Sequence, residues 1–333
     1  MINKQKLIVI GIVLYFLIFH RSVCFSQQKF WEEKPSMSIC RAFHSMAVCC
    51  GNIYVIGGST GKKSEFRDTA SVEMYNLKTS KWENKCAMPY AITTSCAVAV
   101  DNKIFVAGGQ ENIFDTRIRK VLMYDCETDT WYSKSPMNIA RAFHCLATLN
   151  NKLYAIGGRE KPEEMKFKSK DSLAVYTIEE YDITTDKWQI KTILPFKHFP
   201  IGAVTIHNRI YILSDTISHS ELDKSALFEE YDPEHNLFKR LALLSPSRCD
   251  AAMVSSNGKI YIFGGWNHGS ISSVYEYDPA LDKWEEKTDM PFPVQNHQAI
   301  SIDDKVFITG GIIYPKDGNE KMNSLLEYHP KND

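Results

Sequence analysis

Two stretches of the 333-residue chain repeat a cationic and a titratable side chain at one spacing, the kind of pair that can read an anion or ligate a metal. Residues 37–58 read MSICRAFHSMAVCCGNIYVIGG and residues 137–158 read MNIARAFHCLATLNNKLYAIGG. Both carry Arg-Ala-Phe-His in front and a double glycine behind, with 13 residues from His44 to Gly57 and from His144 to Gly157. A guanidinium meets a carboxylate through two parallel hydrogen bonds, so Arg41, Arg141 and Arg248 could contact an acidic partner or tie adjacent loops together. His44, His144 and His297 could gather around an axis as metal ligands, but no carboxylates stand at the equivalent phase to complete a set. The plainer expectation is that each histidine bonds a neighbouring loop carbonyl. No metal and no other cofactor is expected. Nor is there a Ser-His-Asp spacing or a phosphate-binding loop.

The elements that position these residues follow from internal repetition. Double glycines stand at Gly57-Gly58, Gly108-Gly109, Gly157-Gly158, Gly264-Gly265 and Gly310-Gly311, and Leu213-Ser214 takes their place after the strand RIYIL. Trp31, Trp82, Trp131, Trp188, Phe238 and Trp284 track them at one phase, after Tyr-Asp-like turns such as VLMYDCETDTW. Each unit holds an apolar run, an alternating run ending in the glycines, a variable loop, a VEMYN-like run and the Trp run. Such short β-branched and aromatic runs between turn residues are strands. Four antiparallel strands at a period of roughly 50 residues make a propeller blade. The reading is an all-β, six-bladed propeller with four antiparallel strands per blade. Glycines allow positive φ and close approach, and the indole fills space between twisted sheets. Blade four has neither and should be the most distorted and least well packed. SLLEYHPKND lacks a following Trp run, while FWEEKPSM (30–37) is a Trp run without preceding strands. The N-terminal strand should therefore join the last blade, leaving no unpaired edge at the seam.

Composition is that of an ordinary globular protein, 44% hydrophobic and 24% charged, with a formal net charge of -1. That balance gives no pull toward nucleic acid or anionic membrane. Lys4 and Lys6 precede an apolar run, Leu7 to Phe19, and Cys24 and Ser26 suit a cleavage site, so residues 1–26 read as a signal peptide and 27–333 as the mature propeller. An uncleaved N-terminal anchor is the alternative, but the run is short of the ~20 residues that span a bilayer, and stable insertion after cleavage is not expected. Secretion is the expected fate. Without Cys24 the cysteines are Cys40, Cys49, Cys50, Cys86, Cys96, Cys126, Cys145 and Cys249. An exported chain permits disulfides among them, in a pattern open at this point, and buried thiols packing as small hydrophobes account for them as well. No Cys/His set has zinc spacing.

RAFH, NIYVIGG, SVEMYN, KW and AMP, like KIYIFGG, VYEYDP, KW and DMPFP, resemble kelch repeats over about residues 30 to 330. The resemblance is closest to the propeller half of animal kelch-like proteins, with a leader here in place of a BTB or BACK region. It implies a six-bladed kelch β-propeller whose ligand face is built by the loops between blades and between second and third strands. It places Arg41, Arg141 and Arg248 at that face, where they would contact a protein partner or an acidic peptide segment. Blades two and four depart, with Ile92 and Lys197 at the arginine position and Ser95 and Pro200 at the histidine position. Variable loops on a rigid scaffold carry recognition, and aromatic and arginine side chains dominate interfaces. STGKKSEFRDTA supplies Phe66 and Arg67, QENIFDTRIRK supplies Phe114, Arg117 and Arg119, and GWNHGS supplies Trp266 and His268. Residues 159–173 are charge-rich and read as a solvated excursion. The expected function is a secreted, non-enzymatic module that binds a protein. The resemblance also extends to copper oxidases and sialic acid epimerases, so the alternatives are an exported kelch-type enzyme such as a sialic acid epimerase, or an actin-binding or effector protein acting in a host cell, actin binding requiring access to cytosol.

Overall fold

The computed structural model describes residues 30–61, 66–111, 116–160, 174–195, 198–215, 225–314 and 320–333. The leader 1–26, Phe114, Lys197 and the charge-rich stretch 161–173 lie outside them. Six antiparallel four-stranded sheets form the blades. Blade one is Ser45–Cys49, Asn52–Ile56, Val72–Asn76 and Lys81–Lys85; blade two is Cys96–Val100, Lys103–Ala107, Val121–Asp125 and Thr130–Lys134. Blade three is Cys145–Leu149, Lys152–Ile156, Thr177–Asp182 and Lys187–Ile193; blade four is Phe199–Ile206, Arg209–Asp215, Leu227–Asp232 and Leu237–Arg240. Blade five is Ala252–Ser256, Lys259–Phe263, Val274–Asp278 and Lys283–Lys287. Blade six takes Gln298–Ile302, Lys305–Thr309 and Leu325–Tyr328 from the C-terminal end, and Trp31–Lys34 from the N-terminal end, with Trp31 opposite Tyr328. First strands of neighbouring blades pack side by side in a ring, and blade six meets blade one. Among the described residues no helix is long and apolar enough to cross a membrane.

Second strands such as NIYVI are buried almost throughout, because each is covered on both faces by neighbouring blades. Outermost strands such as KWENK alternate exposed and half-buried positions. At that perimeter one latch recurs. The third-strand tyrosine packs on the Trp of its own blade, with ring centroids 5.1 Å apart for Tyr75–Trp82, 4.9 Å for Tyr181–Trp188 and 4.6 Å for Tyr328–Trp31. The indole N–H then donates to a carbonyl of the preceding blade's exit: Trp131 to Cys86 at 2.9 Å, Trp188 to Ser135 at 2.9 Å, Trp284 to Ala242 at 2.9 Å. An aspartate five residues after the tyrosine accepts its hydroxyl and the amide of that same exit residue, as Asp186 does from Tyr181 and Ser135. Each latch satisfies polar groups that blade packing would otherwise strand.

Toward the axis a second set of hydrogen bonds steps from blade to blade. Thr205 donates to the Thr148 carbonyl at 2.9 Å, Ser255 to Thr205 at 3.5 Å and Ser301 to Ser255 at 2.7 Å. Blade four shows a register shift between Pro200 and Gly202, and blade three a comparable one between Ile178 and Glu179. The expectation of poor packing in blade four is corrected. The strand register puts Ser214, not Leu213, where other blades have their first glycine. Ser214 and Phe228 are 1% and 0% exposed, and the Phe228 ring lies 4.7 Å from Tyr277 of blade five.

Replacing Trp284 by Phe keeps the aromatic contact with Tyr277 and removes the indole N–H, leaving the Ala242 carbonyl without that donor. The expected loss is about 1 kcal/mol of unfolding free energy, read as a lower urea midpoint at unchanged slope.

Candidate functional site: the mouth of the central cavity

The repeated arginines sit in the loops that enter each blade, but their side chains turn inward. Arg41, Arg141 and Arg248 are 0%, 0% and 1% exposed. Arg41 Nη1 donates to the carbonyls of Gly57 at 3.0 Å and Ser71 at 3.3 Å, and Nη2 to the Ser71 hydroxyl at 3.1 Å and the Glu73 carboxylate at 2.5 Å. Glu73 in turn accepts the Ser38 amide at 2.8 Å and its hydroxyl at 2.6 Å. Blade three repeats the arrangement, Arg141 meeting Gly157, Thr177 and Glu179, with Glu179 accepting the amides of Asn138 and Ile139. Arg248 reaches the carbonyls of Gly264 at 3.3 Å and Ser273 at 3.2 Å, and its guanidinium lies 4.7 Å from the ring centre of Tyr275, which stands where the other two have glutamate. The reading of these three arginines as partner-contacting groups is therefore corrected. They hold the double-glycine bend to the third strand, because carbonyls released by that bend need donors in a dry interior.

The histidines are architectural in the same sense. His44 Nε2 lies 2.8 Å from Thr309 Oγ1 of blade six rather than bonding a loop carbonyl. Its ring fits against two glycines. A Cβ at Gly58 would lie 2.7 Å from His44 Cβ, and one at Gly310 would lie 2.7 Å from His44 Cε1. His144 occupies the same place between Gly158 and Gly108. Burial depresses all three rings, His144 to about 3, His297 to about 4 and His44 well below its ordinary value. No group of metal-ligating atoms involving these histidines is found among the described residues.

At this end the repeat generates two concentric rings at phases on either side of its markers; Thr94, Ser59 and Ile312 are buried within them and the other members are partly or fully exposed. The inner ring, one residue before the histidine position, is Phe43, Thr94, Phe143, Phe199, Asp250 and Asn296. The outer ring, one residue after the double glycine, is Ser59, Gln110, Arg159, Trp266 and Ile312, with Asp215 of blade four beside them at the second-glycine position. Backbone bridges such as Ala142 to Arg159 and Cys249 to Trp266 hold the rings together. Five inner-ring residues are left-handed, with φ of 56° at Phe43 and Thr94, 53° at Phe143, 55° at Asp250 and 54° at Asn296. That conformation costs a non-glycine residue about 1 kcal/mol or more. A chain of amides offsets it: Phe143 donates to Thr94, Thr94 to Phe43, Phe43 to Asn296 and Asn296 to Asp250. Phe199 enters instead as the start of a regular strand.

The inner ring, with Arg159 and Asp215, lines a cavity of about 450 Å³. One side is aromatic and cationic: Phe43 and Phe143 meet edge to face at 6.3 Å, and the Arg159 guanidinium lies 5.5 Å from the Phe143 ring and 4.6 Å from the Phe199 ring. The other side is acidic. Burial, with Asp215 close by, holds the Asp250 carboxyl above its usual range against the pull of Arg159. Asp215 accepts the Ser247 hydroxyl at 2.7 Å. Phe143 and Trp266 are each 39% exposed and Tyr314 is 50% exposed.

The remaining loop residues singled out in the sequence spread around this face. Trp266 and His268 are both exposed and come together, with ring centroids 6.1 Å apart. Arg67 is exposed on the Arg67–Asp68 strand of blade one; Arg117 is half-buried and Arg119 exposed on blade two. Phe66 caps Lys321, whose ammonium lies 3.7 Å from the ring centre and donates to Ser59 at 2.9 Å and Thr60 at 2.8 Å, stitching blade six to blade one. Burial lowers the Lys321 pKa to about 8. Phe43, Phe143, Phe199, Arg159, Asp215, Asp250 and Asn296 were not among the residues expected. Their signal was present as one phase of the repeat that holds phenylalanine in three blades and polar residues in the other three. The arginine partners were also visible across the repeats. Arg41 and Arg141 coincide with Glu73 and Glu179, whereas Ile92 and Val294 coincide with Leu122 and Leu326.

Two expected outcomes follow. Glu73→Leu leaves a buried guanidinium without its carboxylate and should cost about 3–5 kcal/mol, while Arg41→Ile with Glu73→Leu, the pairing blade two already uses, should recover most of it in urea melts. For the histidines, the unfolded chain binds protons below about pH 6.5 that the buried rings refuse, so stability falls as pH drops from 6.5 toward 4. Each ring contributes up to about 1.4 kcal/mol per pH unit, and His144→Asn should show a shallower decline than the parent protein.

The sequence matches the KLHDC2/KLHL20/DRC7 Kelch-repeats domain over residues 16–214 and the Kelch motif over residues 247–291. It is 23% identical over 266 residues to human Kelch-like protein 23, covering 76% of this chain and 43% of that protein. It is 26% identical over 176 residues to zebrafish (Danio rerio) Kelch-like protein 15, covering 47% and 29%. Spermatocyte protein spe-26 of Caenorhabditis elegans is 27% identical over 160 residues, covering 45% and 27%. The chain thus spans less than half the length of these relatives. With its repeat register, closed ring of blades and double-glycine arginine brace, this chain belongs to the kelch-repeat family.

Proposed function

We propose that the protein is an exported kelch propeller that binds another protein at the mouth of its central cavity. The observation carrying this reading is the concentration of half-exposed aromatic groups, Phe43, Phe143 and Phe199, with Arg159 between two of them, around one concave opening, and the exposed Trp266 bridged to Cys249 beside it. Kelch propellers are typical protein-binding modules. Aromatic and arginine side chains at the centre of a concave patch are the groups that dominate protein interfaces, because they bury much area for little lost rotamer freedom. The inner ring's amide chain holds two of these residues, Phe43 and Phe143, in place before a partner arrives, which lowers the ordering cost of association.

Phe43 and Phe143 offer an apolar floor, Arg159 a cation for a partner carboxylate, and Asp215 with Asp250 an opposing anionic wall. The partner segment accordingly presents an apolar side chain flanked by charge, seated across the opening. Asp250 and Arg159 fix its direction, since reversing the segment would oppose like charges. Export rests on residues 1–26, whose charge and apolar run have the form of a signal peptide.

Affinity capture from extracellular fluid, followed by binding measurements with the captured protein, tests both parts. Phe143→Ala and Trp266→Ala should each weaken binding by about tenfold or more at unchanged melting temperature. Arg248→Ala, altering only the interior brace, should lower the melting temperature instead. Export predicts a medium-borne protein whose first residue is Gln27. Binding that ignores Phe143 and Trp266 would remove the mouth as the interface, and a chain retained with residues 1–26 attached would remove the export reading.

A further inference from the structure

At the end of the propeller opposite the mouth, three sulfur atoms converge where blade one meets blade two. Cys49 ends the first strand of blade one, Cys50 begins the turn that follows, and Cys126 opens the turn between the third and fourth strands of blade two. Cys49 and Cys126 are joined as a disulfide across 77 residues of sequence, with Cα atoms 6.9 Å apart. Cys50 is a free, exposed thiol whose Sγ lies 3.9 Å from Cys49 Sγ. All three sulfurs lie within 4.8 Å of one another. The placement is built by backbone: Cys50 is left-handed, φ 50°, which turns its side chain back over the cross-link, and the Cys126 amide donates to the Asn102 carbonyl at 3.1 Å. The Asn102 side chain fixes the other flank, its Oδ1 3.4 Å from Cys50 Sγ and its amide donating to Glu127 at 2.6 Å. Cys40, Cys86, Cys96, Cys145 and Cys249 are unbonded elsewhere in the described structure.

We propose that Cys49, Cys50 and Cys126 form a thiol–disulfide exchange site, in which the cross-link between blades one and two migrates between Cys49–Cys126 and Cys50–Cys126, and small disulfides enter through Cys50. Exchange requires a thiolate to reach a disulfide sulfur and expel the other as a thiolate. Here Cys50 gives its proton to water and attacks Cys126 Sγ. The bond to Cys49 breaks, and Cys49 leaves as a thiolate and is reprotonated. One disulfide and one thiol exist before and after, so no oxidant or reductant is consumed. With an external disulfide the same Cys50 thiolate forms a mixed disulfide and releases one small thiol. Migration moves the free thiol from the exposed Cys50 to the buried Cys49, so the cross-link's position decides whether this junction can be modified.

Non-reducing peptide mapping of the full chain and two variants tests this. Cys49→Ser should retain a cross-link, now Cys50–Cys126; finding both of those residues alkylated would overturn the proposal. Oxidised glutathione should add at this junction in the parent protein and not in Cys50→Ser, whereas equal addition in both would count against entry through Cys50. Should Cys49→Ser fail to fold, the parent protein decides. After incubation at pH 8, acid quench and maleimide labelling, fragmentation should place the label on Cys49 in part of the population, and a label on Cys50 alone would refute migration.

Discussion

Everything in this propeller answers to one constraint: twisted sheets arranged around an axis leave wedge-shaped gaps that widen outward, and each must be filled without stranding backbone polar groups. At the perimeter the filler is the Tyr–Trp pair, whose indole N–H and phenol are tied to the neighbouring blade's exit. Near the axis there is too little room for a side chain on the second strand's end, so a double glycine lets the His44 ring or its equivalent lie between blades. The bend exposes the Gly57 and Ser71 carbonyls to a dry interior, and Arg41 with Glu73 answers that demand. Closure by Trp31–Lys34 belongs to the same logic, since it removes the edge on which another chain could pair.

That demand separates repetition from function. Side chains that recur in register, Arg41 and Arg141, His44 and His144, are absorbed by the interior, because identical problems recur at identical places in each blade. Where no packing problem dictates a residue, the blades are free to differ. Phe43, Thr94, Phe143, Phe199, Asp250 and Asn296 share a phase but divide into three phenylalanines and three polar residues, and they line the opening. Left-handed backbone at five of them is sustained by the amide chain passing from blade to blade, so a rigid frame presents variable groups. Blade four interrupts that chain with Phe199, and there the opening changes from aromatic to acidic.

The opposite end of the first strands shows the same division. Inner-strand packing brings Cys49 beside the blade-two turn that carries Cys126, and the left-handed Cys50 lies over both. Cross-linking residues 77 apart in sequence adds a covalent tie between two blades that elsewhere meet through packing and hydrogen bonds. Cys96 and Cys145, by contrast, are inert by environment: burial pushes the Cys96 thiol up to about 12 and Cys145 well above its ordinary range.

Strand identity, blade number and closure by the N-terminal segment were legible in the sequence, because alternation with period two, turn residues and a marker repeated six times are local signals that packing reinforces. The Arg–Glu brace was legible in principle, since Arg41 and Arg141 travel with Glu73 and Glu179 while Ile92 and Val294 travel with Leu122 and Leu326. What sequence left open was direction. An arginine in an entry loop can point out to a partner or in to a bend, and only the position of the buried carboxylate and the unsatisfied glycine carbonyls decides. The cysteines were undetermined for a related reason: pairing depends on separations in space, and Cys49 meets Cys126 only once two blades are wound side by side. The site followed suit, for the rings at the mouth exist only when six copies of one phase are brought around a common axis.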